Sequence, residues 1–308
     1  MGIPKRLQQQ SGRYSLVDSI PFKLPVACDQ TPVLMAVFPI NADKADRLLA
    51  GNELHAFRLW NKGLLVFTVV SYQITNIGKY IEYSIAIACT HGARRAPRLL
   101  PALFMKHYDT GQYVFDLPVS TEVSVRGGKG IWGMPKHRCN LDFQITDSTV
   151  SSQYDLDGQL GVRIEINRPR KTWLSFRMGA VNFCQFRGML MKSSIYFHGK
   201  VGFSMFKKGS ARLYIGDVPR VQPLKELDIG ETPVMTAFIP DAQGILDDHF
   251  ECWFLSFSEA PTRMPEGLES VINLGQGQQW LAPPTASLAG AYSPGMKSSK
   301  AQTGGSSQ

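Results

Sequence analysis

No two of the five cysteines, Cys28, Cys89, Cys139, Cys184 and Cys252, form a C-x-x-C pair. Odd in number and widely spaced, they point to neither a zinc site nor a disulfide framework, and buried free thiols are expected. Long apolar runs are missing as well. Stretches such as Leu64 to Val70 and Ile85 to Cys89 fall far short of the ~20 residues of a membrane helix. The N-terminal MGIPKRLQQQSGRYS carries charge but no apolar h-region, so it does not read as a secretory signal. Arg6 stands where a myristoylation motif would have Ser or Thr. The expected location is the cytoplasm, with no membrane partner. There is no G-x-S-x-G elbow, Walker A loop or H-E-x-x-H pair, which excludes the chemistries built on them. Gly127 to Gly130 follow a strand-like run with no helix expected after them, so they are not read as a phosphate cradle.

Apolar residues make up 44% of the 308, enough for a real core. The net charge of +8 raises the question of an anionic partner. Yet the basic residues are scattered, and the tightest cluster, Arg168, Arg170 and Lys171, sits at a proline break read as a solvated hairpin tip. Nucleic acid is therefore disfavoured, and a small anionic substrate fits the charge equally well.

The dominant period is two. Residues 33–40, 63–72, 80–89, 111–117, 162–167, 172–178, 211–217 and 232–240 are β-branched or aromatic runs bounded by Gly, Pro, Asn or Asp. Helical pattern is confined to residues 41–51, with Asn41 as N-cap and Gly51 as stop, and to 244–254. The fold class is mainly β (α+β), a barrel or sandwich with a few helices outside. Residues 1–15 are expected to be flexible and 16–260 to form one domain. Residues 261–281 read as a peripheral extension with a short helix at 266–274, and 282–308 as a disordered tail.

Three ordered blocks then carry a family resemblance: YIEYSIAIAC (80–89), YVFDLPVSTEVSVRGGKGIWGMPKHRC (113–139) and GSARLYIGDVPRVQPLKELDIGETPVMTAFI (209–239). Together they resemble the acetoacetate decarboxylase superfamily. The resemblance implies a cone-like β-barrel around an interior pocket, in which the lysine of the Pro-Lys element, here Lys136, forms a Schiff base with a small keto acid. It implies no cofactor and no metal, and it suggests a homo-oligomer. It also implies a lyase, working by decarboxylation or by aldol or dehydration chemistry. The chain departs from the family pattern in several places. The acid of the family's Gly-Arg-Glu is replaced in Gly128, Lys129, Gly130. The early arginine falls at Thr31 or Pro32, the first pocket glutamate near Phe67, and the second lysine at His137.

The residues themselves say what such chemistry needs. A free lysine titrates near 10.4, so about one amine in a thousand is nucleophilic at neutral pH, and the site must desolvate Lys136 or place a cation beside it. Arg138, two residues on along an extended strand, is the candidate cation, whereas His137 points away. Trp132 and Met134 are the expected walls. Glu82 shares one strand face with Ser84, Ala86 and Ala88 and is the candidate acid/base group. Arg126 and Lys129, on what reads as a glycine-rich turn, are candidates to hold a substrate carboxylate. A second reading is a barrel that binds a keto or apolar ligand without turnover.

Overall fold

The computed structural model describes residues 13–255, and for residues 247–250 the backbone alone. Its strands are β1 (Arg13–Val17), β2 (Ile20–Leu24), β3 (Val26–Asn41), β4 (Leu54–Ala56), β5 (Lys62–Tyr72), β6 (Ile74–Thr75), β7 (Tyr80–His91), β8 (Thr110–Val119), β9 (Lys136–Arg138), β10 (Asn140–Leu141), β11 (Gln144–Ile145), β12 (Thr149–Leu156), β13 (Gln159–Asn167), β14 (Leu174–Phe186), β15 (Met189–Met205), β16 (Ala211–Ile215) and β17 (Met235–Phe254). Each alternating run read from the sequence falls on one of them. Seven strands close into a barrel in the order β7, β5, β3, β17, β15, β14, β8, with β8 pairing back to β7. Closure leaves those strands no free edge.

Period-two alternation divides each barrel strand between two environments. On β5, Leu65, Phe67 and Val69 point outward and are fully buried, while Leu64, Val66, Thr68, Val70 and Tyr72 point into the barrel. The outward face of β3, β5 and β7 is covered by a second sheet, ordered β10, β12, β13, β16, with β11 also on β12. Phe38, Phe67, Tyr83 and Ile85 pack there with Val150, Tyr154, Ile164 and Ile166 in one continuous core. Burial of side chains of this size is worth about 2 kcal/mol each. The inside of the barrel therefore does not have to supply the main core, and a cavity can remain.

Several expectations need correction. Residues 244–254 are not a helix but the end of β17, hydrogen-bonded to β15 and running alongside β3 as far as Leu246. Arg13 to Ser15, expected to be loose, already belong to β1. The helix after Asn41 is only Ala42–Asp46, although Asn41 does cap it, its Oδ1 accepting from the amides of Asp43 (3.0 Å) and Lys44 (3.1 Å). Arg168, Arg170 and Lys171 lie in a crossover joining the two sheets rather than at a hairpin tip, since β13 pairs with β12 and β16 and β14 with β15 and β8. The expected helix at 266–274, the rest of the extension at 261–281 and the tail at 282–308 lie outside the described residues. No helix among the described residues is long and apolar enough to cross a membrane.

Candidate active site

The glycine-rich stretch is a helix, Glu122–Trp132, and not a turn. Three glycines cost such a helix about 1 kcal/mol each relative to alanine. Their role is close approach. A β-carbon on Gly127 would stand 2.6 Å from the Phe22 ring, one on Gly128 would overlap the stem of Lys136, and one on Gly130 would overlap Val17. The helix ends at Gly133, whose positive φ of 66° suits glycine and whose amide donates back to the Lys129 carbonyl (3.0 Å). Pro135 then turns the chain outward into β9, which pairs in parallel with β8 so that Lys136 lies opposite Leu117.

This connection aims Lys136 into the barrel, 4% exposed. Its Nζ lies 2.6 Å from Oε2 of Glu82, itself 6% exposed, and donates a 3.0 Å hydrogen bond to Ser124 Oγ from the first turns of the helix. Nζ also stands 5.5 Å from the centre of the Tyr80 ring, which stacks on Tyr72 at 4.5 Å. Burial first, and the Glu82 charge second, hold both phenols well above their ordinary range, so they stay protonated. The Tyr72 hydroxyl is buried without a regular hydrogen-bond partner. Ser124, Tyr72 and Tyr80 were not singled out from the sequence.

Lys136, Glu82 and Tyr72 line a cavity of about 270 Å³ whose wall is mainly aliphatic and also includes Trp132 and Met134. Glu82 and Ser84 both line it, on the strand face read from the sequence. The wall next to Lys136 is well buried. Val33, Val70 and Glu82 are buried there, whereas Met35, Thr68, Val66 and Leu64, further along, are half-buried.

The three expected cations are elsewhere. Arg126 points off the helix to Asp18 (3.1 Å) and Glu122 (3.2 Å), outside the cavity. A helix turns about 100° per residue, so Arg126 and Lys129, three apart, share a face that is not the one Gly128 presents to Lys136. Neither lines the cavity, and neither does Arg138, which is exposed on β9. Thr31 is buried and donates to the Asp29 carbonyl, while Phe67 faces the outer core. Neither position restores a lost pocket charge.

His137, on the opposite face of β9, anchors the strand from behind. Its Nε2 bonds Oδ1 of Asp116 at 2.8 Å, and Asp116, 0% exposed, also accepts from the Tyr154 hydroxyl (3.1 Å) and lies 3.4 Å from Arg220. Asp116 faces outward because the β7–β8 register shifts between Ile85 and Ala86. That irregularity lets Gln112 and Val114 line the cavity on one side of it and Leu117 on the other.

A family model described as Acetoacetate decarboxylase (ADC) matches residues 10–181, more than half the chain. The chain belongs to the acetoacetate decarboxylase family. Solved structures agree on the fold. A structure from work described as structural studies of acetoacetate decarboxylase aligns with a TM-score of 0.56 at 15% identity, covering 76% of this chain and 91% of that one. The enduracididine biosynthesis enzyme MppR, complexed with pyruvate, aligns at 0.54 with 12% identity over 76% and 92% of the two chains. Acetoacetate decarboxylase from Legionella pneumophila subsp. pneumophila str. Philadelphia 1 aligns at 0.52 with 10% identity over 74% and 89%. No curated protein matches the chain.

Proposed function

We propose that this family member is a lyase that forms a Schiff base between Lys136 and the carbonyl carbon of a small keto substrate, with Glu82 moving the protons. The observation that carries this reading is the 2.6 Å contact between the buried Lys136 amine and the Glu82 carboxylate in the wall of a mainly apolar cavity.

Each step balances on these two groups. The Lys136 ammonium passes a proton to Glu82, and the freed amine attacks the carbonyl carbon. The proton on nitrogen moves to the new alkoxide, giving a neutral carbinolamine. Glu82 then returns its proton to the hydroxyl, which leaves as water while the nitrogen lone pair forms the C=N bond. The result is an iminium beside a carboxylate, with the same net charge as the starting pair. Glu82 is then free to take a proton from the carbon next to the iminium, giving an enamine. From such an enamine, aldol and dehydration steps follow, and from the iminium of a β-keto acid, decarboxylation. Tyr72, protonated and facing the cavity, supplies a donor for the oxygen that develops charge during attack.

Exchange of substrate hydrogen for deuterium separates turnover from binding. In D2O, small ketones and keto acids are followed by proton NMR with the wild type, Lys136→Met and Glu82→Gln. The reading expects exchange next to the carbonyl with the wild type, none above background with Lys136→Met, and a loss of 10²- to 10⁴-fold with Glu82→Gln. No exchange above background with the wild type would leave the barrel as a binding protein, and exchange that survives in Lys136→Met would move the chemistry to another residue.

A further inference from the structure

Among the described residues the cavity gives a substrate a single cation, and that cation is already balanced. Among the described residues lining it there is no arginine, no histidine and no lysine besides Lys136. Lys136 and Glu82 neutralise one another at 2.6 Å, and an iminium at Lys136 would be neutralised in the same way. A substrate carboxylate entering this space would bring a negative charge with no partner into a mainly aliphatic wall, which is strongly unfavourable.

One stretch of the cavity wall is polar but uncharged. Gln112 of β8, Asn182 of β14 and Ser193 of β15 stand side by side in register and all line the cavity. Gln112 Nε2 donates to Asn182 Oδ1 at 2.8 Å, which leaves the Asn182 amide hydrogens and the Gln112 carbonyl oxygen to face a ligand. Along β8, Gln112 is five residues before Leu117, the partner of Lys136, so about 16 Å of strand separates those two positions. Val114, Val37 and Val66 lie between them.

We infer that the substrate is an uncharged, elongated ketone or aldehyde. Its carbonyl meets Lys136, its apolar chain fills the valine-lined middle, and a neutral hydrogen-bonding group such as a hydroxyl reaches the Gln112–Asn182 pair. This narrows the Schiff-base reading and rests on it. With no carboxylate to lose, the reaction is proton transfer, aldol cleavage or dehydration through the enamine.

The test is cyanoborohydride trapping on the full chain, read by intact mass, with the concentration for half-labelling compared across probes. Methyl heptyl ketone and its ω-hydroxy analogue are set against pyruvate, acetoacetate and the 2-oxo acid of matching chain length. The neutral long ketone is expected to label at roughly one hundredth of the concentration of the matching acid. Equal or better labelling by the acid would overturn the inference while leaving the Schiff base standing. If no probe labels at all, the Schiff base fails, and calorimetry of the same neutral and acidic pair on the wild type still reads the ligand class. Gln112→Leu and Asn182→Leu are expected to remove the advantage of the ω-hydroxy ketone over the plain one. An advantage unchanged in both variants would rule out the amide pair as the anchor.

Discussion

Gly128 lies directly against the aliphatic stem of Lys136, so that a β-carbon at this position would stand 2.6 Å from Cε and closer still to Cδ. The helix and the lysine that follows it are thus packed as one unit, with no room for a β-carbon unless the lysine stem moves. Gly128→Ala adds helix propensity worth about 1 kcal/mol but overpacks the contact at a cost of 1–3 kcal/mol, and the flexible lysine stem is what yields. Reductive labelling should fall at least about tenfold with the circular dichroism spectrum unchanged. Normal labelling would mean that Lys136 can take another path into the cavity.

The Lys136–Glu82 pair is buried on both sides. Removing one partner from such a pair costs about 3–5 kcal/mol, because the other charge is left without compensation. Urea denaturation of Lys136→Met and Glu82→Gln should show both losses near neutral pH. The double variant Lys136→Met with Glu82→Gln should recover much of either loss. Strictly additive losses would show that the two groups do not interact in the folded protein.

A second ion cluster sets a pH dependence of stability. Lys192 bridges Asp109 (2.8 Å) and Glu251 (3.3 Å), and His91 adds a 3.1 Å contact to Asp109. Burial pushes the Asp109 carboxyl up, but hydrogen bonds from His91 and Lys192 outweigh it and hold the group below the usual carboxylate range. Burial likewise pulls Lys192 down, while its bonds to Asp109 and Glu251 leave it above the ordinary lysine value. A depressed carboxylate contributes stability above its unfolded pKa of about 3.9 and loses it as pH falls through the folded value. A raised lysine contributes below about 10.4 and loses it as pH rises through its folded value. Lys192→Met should therefore cost about 1 kcal/mol at pH near 7, and the gap to wild type should close in strong acid. A gap of equal size at both ends would assign the loss to packing.

Thiol reactivity follows exposure. Burial pushes Cys28 up to about 11 and Cys139 and Cys184 up to about 12, and raises Cys89 as well. Cys252 is exposed. Iodoacetamide on the native protein at mildly alkaline pH should add a single group, at Cys252, and further groups only after denaturation. Fast native labelling of Cys139, which lies 3.2 Å from His137 Nδ1, would show instead that the imidazole activates it.

The barrel was legible because its strands alternate over long runs, as Leu64 to Tyr72 and Tyr80 to Cys89 do. Glu82 and Lys136 were reached through the family blocks, with the strand face of Glu82 read from alternation. The helix holding Gly127, Gly128 and Gly130 was not legible, since local propensity argues against it and the reason for the glycines lies in Phe22, Lys136 and Val17, distant or later in the chain. A turn would let Arg126 and Lys129 reach the site, whereas the helix leaves both outside the cavity lining. Residues 244–254 carry apolar spacing that suits a helix as well as a strand, and pairing with β15 and β3 decides between them. Tyr72 was within reach, because the even positions from Leu64 onward share one face. Ser124 sits in no motif and joins Lys136 only through the turn at Gly133.

The central claim is that the amine of Lys136 is dry, paired with Glu82 and reachable by a carbonyl carbon. Peptide mapping after cyanoborohydride reduction with a neutral ketone tests it most directly. The account predicts that the added mass resides on the peptide containing Lys136 and is replaced there by the mass of a second ketone when that ketone is in excess. Mass spread over surface lysines, with Lys136 unmodified, would contradict it.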